Sequence, residues 1–137
     1  MCTELVDCLA TKFPEDVRAV YAEIRAKWDD IVFTGSQAIG CAGPDSDWDF
    51  VVWHEWPYEP LTFPLEPTEG PRSITRRMLE QPSPRFTSLR FGRVNLIIEH
   101  HDPTVLDRWR VATDYCIDNC VYDKPARIAV FEHFGAG

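Results

Sequence analysis

The chain has 137 residues, 45% of them hydrophobic, and a formal net charge of −8. That length supports one core and a single domain over 1–137, and the apolar content excludes disorder of the whole chain. The acidic balance excludes broad nucleic-acid binding, which wants a basic face, but not a small anionic substrate carried with Mg²⁺. From the N-terminus, residues 3–13 read as a short helix. Pro14 then stands where a helix start tolerates proline, with Glu15 and Asp16 in the first turn. Val17, Val20, Tyr21, Ile24 and Trp28 follow at helical spacing, which predicts an amphipathic helix over 14–29. "IVFTG" reads as a short buried strand ending at glycine, and "SQAIGC" as a helical turn. "AGPDSD" is loop chemistry, and "DWDFVVWH" a second strand.

Residues 55–71 are rich in proline and lack periodicity, which predicts a long loop of the kind that serves as a lid or stays disordered. "SITRRMLEQ" predicts a helix with Ser73 as its N-cap. "RFTSLRFG" and "RVNLIIEH" read as a hairpin joined at Gly92. "DPTVLDRWRVATDYCIDN" predicts a helix with Val105, Trp109, Ala112 and Cys116 on one stripe, and "DKPARIAVFEHF" a last one. This order of elements predicts an α/β (α+β) fold, a small mixed sheet with helices packed on it. No apolar run reaches the ~20 residues of a membrane span. The N-terminus lacks a basic start and an apolar block, so a cytoplasmic protein without a signal peptide is expected. Five cysteines without a CxxC pair fit reduced thiols. Cys116 and Cys120 read as small apolar residues on a helix face rather than as a metal bridge.

The chemistry concentrates in "FTGSQAIGCAGPDSDWDFVVW". Aspartate is a poor strand residue, yet Asp47 and Asp49 head an apolar strand. At i and i+2 they share one face, about 6.6 Å apart along it. Two like charges held that close repel, and a cation relieves the repulsion. Hard carboxylate oxygens suit Mg²⁺ or Mn²⁺ better than zinc. Gly35 ends the preceding strand and lets backbone approach a phosphate, while Ser36 is placed to cap the short helix after it. Each half has an ordinary reading as a turn, a cap or an edge-strand charge. Ten residues separate Ser36 from Asp47, and this spacing joins a phosphate cradle to a metal platform on neighbouring strands.

"GSQAIGCAGPDSDWDFVV" resembles the motif of the DNA polymerase β-like nucleotidyltransferase superfamily, in its small, minimal form. There Gly-Ser is followed after about ten residues by Asp-hydrophobic-Asp-hydrophobic, with a second glycine (Gly40) and a serine before the first aspartate (Ser46). The likeness extends loosely over 31–99. The C-terminal helices are similar to those of phage and bacterial members. The resemblance implies Mg²⁺-dependent transfer of a nucleoside monophosphate from an NTP to an acceptor, whether protein, RNA or small molecule. It assigns Asp47 and Asp49 to metal and catalysis, and Gly35, Ser36 and Ser46 to the nucleotide. The departure lies at the third carboxylate, where "RVNLIIEH" carries Asn95, a weaker metal ligand that cannot act as a base. Glu99 shares a strand face with Asn95 but lies about 13 Å further along. Either Asn95 or Glu99 completes the metal shell. With Asn95 there, the alternative is a catalytically impaired protein of the same fold that binds a nucleotide or a partner, as an antitoxin-like or phage regulatory module.

Weaker signals lie elsewhere in the chain. His100, His101 and Asp102 could ligate zinc, but histidines at a strand end usually mark a solvated exit. Trp53, Trp56 or Tyr58 could stack on a base, although core anchoring is the commoner role. Arg72, Arg76 and Arg77 are candidates for a phosphate contact.

Overall fold

The paired apolar stripes of the first thirty residues fold into two helices. They are α1 (Thr3–Ala10) and α2 (Glu15–Lys27), with Pro14 as the residue before α2. The computed structural model describes residues 2–55, 61–69, 86–100 and 102–136. Val17, Tyr21 and Ile24 of α2 are buried, as their spacing predicts. Then come β1 (Val32–Thr34), the short helix α3 (Gly35–Ile39) and β2 (Trp48–Trp53). The hairpin follows as β3 (Phe86–Phe91) and β4 (Val94–Glu99), turning at Gly92 with φ 62°. A left-handed φ is cheap only for glycine, which places the turn at that residue. The last two helices are α4 (Val105–Asp118) and α5 (Lys124–His133). In α4 the predicted stripe of Val105, Trp109, Ala112 and Cys116 is buried. Asp123 caps α5, its carboxylate accepting from the Ala126 N–H at 3.3 Å.

The sheet runs in the order β1-β2-β4-β3. β1 is antiparallel to β2, β2 parallel to β4, and β3 antiparallel to β4. β1 and β4 thus flank β2 in a mixed sheet, the sheet type that the order of elements predicts. Alternation along the strands divides two cores. Phe50, Val52, Leu96 and Ile98 face α1 and α2, with Val6, Val17 and Ile24. Val51 and Ile97 face the other way, against Leu106 and Trp109 of α4. Asp49 and Asn95 share the parity of Val51 and Ile97, so they look toward the C-terminal helices.

The proline-rich stretch departs from a free loop. Leu61 is buried, and Phe63 packs on Trp28 and Phe91 at ring distances of 6.0 and 5.1 Å. Thr68 N–H donates to the Arg90 carbonyl and Arg90 N–H to that of Glu69, so the stretch extends the outer edge of β3. Apolar residues between the prolines explain this, since they bury where periodicity is absent. The predicted helix at "SITRRMLEQ", with Arg72, Ser73, Arg76 and Arg77, lies outside the described residues, as do Trp56, Tyr58 and His101. Among the described residues no helix is long and apolar enough to cross a membrane.

Candidate active site

The site grows from three adjacent strand positions. Thr34, the last residue of β1, is paired in register with Asp49, and Asp49 in turn with Asn95. Across the hairpin, Asn95 is paired with Arg90. One row of the sheet edge therefore carries Thr34, Asp49, Asn95 and Arg90, with Asp47 just before it. Asn95 Nδ2 donates to Asp49 Oδ1 at 3.1 Å, and Ser88 Oγ donates to Asn95 Oδ1 at 2.6 Å. Arg90 grips both oxygens of Asp47, at 2.5 and 2.9 Å. Its Nε also lies 3.4 Å from Glu69 Oε2. Partners on the same row reach both carboxylates, so Asp47 and Asp49 sit on one face, as the i, i+2 spacing predicts.

Gly35 makes the turn out of β1 at φ 78°. A Cβ added there would stand 2.1 Å from Asp49 Oδ2. Only a glycine hydrogen fits, so this position is specified twice, by conformation and by the carboxylate lying over it. Ser36 is not the helix cap that the sequence predicts. α3 begins two residues earlier than that cap would set it, Thr34 takes the cap position, and Ser36 lies inside the first turn. Its carbonyl accepts from the N–H groups of Gly40 and Cys41. The Thr34 hydroxyl faces Thr113 at 2.7 Å. The Thr113 hydroxyl donates its own proton to the Trp109 carbonyl, so Thr34 is the donor. That bond ties the end of β1 to α4. Ser46 organises the loop, its Oγ accepting from Gly43 N–H at 2.8 Å and its carbonyl from Gln37.

A cavity of about 560 Å³ opens between this face of the sheet and the C-terminal helices. Gly35, Asp49 and Asn95 line it from the sheet, and Lys124 and Arg127 from α5. Apolar residues, among them Phe86, Ile97 and Phe131, make up much of the rest. Burial pushes the Asp49 carboxyl above its ordinary pKa, against the lowering by the Asn95 hydrogen bond. The charge of Asp47 raises it further, and those of Arg90 and Arg127 lower it.

Glu99 is not brought to this place. It is paired with Trp53 at the far end of β4, is 1% exposed, and accepts from Trp109 Nε1 at 3.2 Å. Its separation from the aspartate row is about 13 Å along the strand. Trp53 packs against the second core cluster, and His100 is buried just past β4. Asp102 accepts from Thr104 and lies 3.2 Å from Arg108. Of the cysteine pair, Cys116 is buried and Cys120 exposed. The sequence pattern does not single out Arg90, although closing a hairpin at Gly92 sets 90 across from 95. It does not single out Thr34, Lys124 or Arg127 either.

The resemblance implies a divalent cation, and the donor set suits one. Asp47 and Asp49 present hard oxygens on one face, and Asp49 Oδ2 makes no hydrogen bond among the described residues. Arg90 meets both oxygens of Asp47 and Asn95 turns an N–H toward Asp49, so a cation here competes with Arg90 for Asp47. Among the described residues no three His, Cys, Asp or Glu side chains gather as a metal site.

No curated protein and no solved structure matches the chain. A family model described as the nucleotidyltransferase domain matches residues 7–100. That span runs from α1 through the end of β4 and holds Gly35, Asp47, Asp49 and Asn95, all at the same sheet edge. With more than half of its length matched, the chain belongs to the nucleotidyltransferase domain family.

Proposed function

We propose that the chain transfers a nucleoside monophosphate from an NTP to an acceptor, with Mg²⁺ or Mn²⁺ as cofactor. One observation carries this reading. Asp49 stands beside Asp47, over the Gly35 turn, on the wall of a cavity large enough for a nucleotide. Asp47 and Asp49 hold the cation, and the backbone at Gly35 and Ser36 receives phosphate oxygens. When bound, the cation neutralises phosphate charge and orients the groups for in-line displacement. The protein's share is positioning, since Asn95 and Ser88 fix the Asp49 carboxylate and Thr34 fixes the turn. Ser46 holds the loop that delivers Asp47. The acceptor is a protein, an RNA or a small molecule.

The test is transfer of label from α-labelled ATP, CTP, GTP and UTP, with Mg²⁺ or Mn²⁺, to the protein itself and to cell extract. Labelling that Asp49→Asn abolishes is the expected result. No labelling with any NTP sinks the transferase reading.

A second reading rests on the Arg90 and Asn95 contacts. A site that meets one aspartate with a guanidinium and the other with an amide satisfies its carboxylates from within. A nucleotide-binding or partner-binding protein without turnover is the function that leaves. Nucleotide-dependent thermal stabilisation in the absence of transfer would support it.

A further inference from the structure

Helix α5 lies outside the matched family span, yet it closes the cavity that Asp49 faces. Lys124, Arg127, Ile128 and Phe131 all line that cavity. Their spacing, i, i+3, i+4 and i+7, is one stripe of a helix. A stripe facing the protein interior normally packs and disappears from solvent. Here α5 has no buried residue among its ten, and Ile128 is 48% exposed. Phe131 packs on Trp109, with ring centroids 5.4 Å apart, while Ile128 one turn earlier stays open to the cavity and solvent. The stripe is also graded. Its first turn is cationic, and its later turns are apolar except for Glu132, which lines the same cavity.

Arg127 is the most telling member. Its Nε is buried and finds no hydrogen-bond acceptor among the described residues. An unmet guanidinium donor inside a cavity costs free energy that an anion would recover. The charge of Arg127 also reaches Asp49 and lowers its pKa. Arg127, in the cationic part of the stripe, and Asp49 line the same cavity.

We infer that α5 is the substrate-binding wall of the site. Arg127, with Lys124 beside it, holds the phosphates of a nucleoside triphosphate, and Ile128 and Phe131 form an apolar bed for its base. This rests on the nucleotidyltransferase reading and adds a second wall to it. Guanidinium suits the role because its fork matches phosphate oxygens. The apolar bed contacts a base by its face, so it selects a nucleotide over a bare polyphosphate without selecting among bases.

The experiment is calorimetry on the full chain, in Mg²⁺, with two probes. They are a non-hydrolysable ATP analogue and inorganic tripolyphosphate. The variants are Arg127→Gln and Ile128→Ser. Arg127→Gln should weaken both probes about tenfold to a hundredfold, the range for losing a charged hydrogen bond. Ile128→Ser should weaken the analogue and leave tripolyphosphate within twofold. Neither should lower the thermal midpoint of the free protein by more than a degree or two, because Ile128 is 48% exposed and the Arg127 Nε has no hydrogen bond to lose among the described residues. Equal affinity of Arg127→Gln and parent for both probes overturns this inference and leaves the transferase reading standing. A parent that binds neither probe overturns both.

Discussion

Arg90 holds Asp47 by both carboxylate oxygens, at 2.5 and 2.9 Å, on the row of the sheet that also carries Asp49. A guanidinium there takes the place a divalent cation would seek. Arg90→Ala should therefore tighten Mn²⁺ or Mg²⁺ binding, roughly tenfold for removal of one adjacent positive charge. The stability cost should be small. With side chains 35% and 32% exposed, the pair contributes no more than about 1 kcal/mol. Calorimetric titration of the variant with Mn²⁺ reads the first effect and urea unfolding the second. Weaker Mn²⁺ binding in the variant would mean that Arg90 supports the cation instead of competing with it.

Gly35 tolerates no side chain on two counts. A left-handed φ costs an L-residue about 1–2 kcal/mol, and a Cβ would sit 2.1 Å from Asp49 Oδ2. Gly35→Ala should destabilise by about 3 kcal/mol or more, because the carboxylate must leave its bond with Asn95 as well. In an Asp49→Ala background the same change should cost only the backbone part. The nearest remaining atom is then Asp49 Cβ at 3.3 Å. Chemical denaturation of the four proteins closes the cycle. Additive costs would show that Asp49 and Gly35 do not compete for the same space.

The strand positions of this site were legible because their signals are local. Asp47 and Asp49 interrupt an apolar run, and parity alone sets them on one face. Gly35 marks the end of a strand, and Gly92 the turn of a hairpin. What was not legible depends on register and on distant chain. Glu99 and Asn95 share a face, so pattern alone could not choose between them. The parallel register of β2 with β4 decides it by pairing Asp49 with Asn95 and Trp53 with Glu99. Ser36 read as a cap because its hydroxyl suits one, while the observed helix is capped two residues earlier, at Thr34. Arg127 and Lys124 reach the cavity only through the packing of α5 on α4, which no short-range pattern encodes.

Asn95→Asp tests the third position. The new carboxylate would face Asp49 where an N–H now donates, so the cation-free protein should lose stability through like-charge repulsion. With Mn²⁺ the order should reverse, since hard cations favour charged oxygen over an amide. The expected signature is a lower thermal midpoint in chelator and a larger upward shift with Mn²⁺ than the parent shows. Transfer activity should rise alongside. Glu99→Gln serves as the contrast. Its carboxylate lies with Trp109, so it should leave Mn²⁺ affinity within twofold. A Glu99→Gln variant that loses Mn²⁺ binding would return that residue to the metal shell.

The pH dependence of stability isolates Asp49. Burial raises its pKa in the folded chain above the ordinary aspartate value of 3.8. A carboxyl raised on folding favours the folded state while protonated. That stability is fully present below the unfolded value and is lost as pH rises through the folded one. Asp49→Asn keeps an oxygen for the Asn95 donor and removes the ionisation. Stability of the variant relative to the parent should therefore increase from about pH 4 upward and level off once Asp49 is ionised. Urea unfolding at a series of pH values, in chelator, measures that difference. Adding Mn²⁺ at neutral pH should shrink it, because the cation offsets the buried charge of the parent and gains little from the amide. A difference that stays flat with pH would show that the Asp49 carboxylate is not desolvated by its place on the cavity wall. A difference that Mn²⁺ fails to change would remove Asp49 from the cation site while leaving its burial intact.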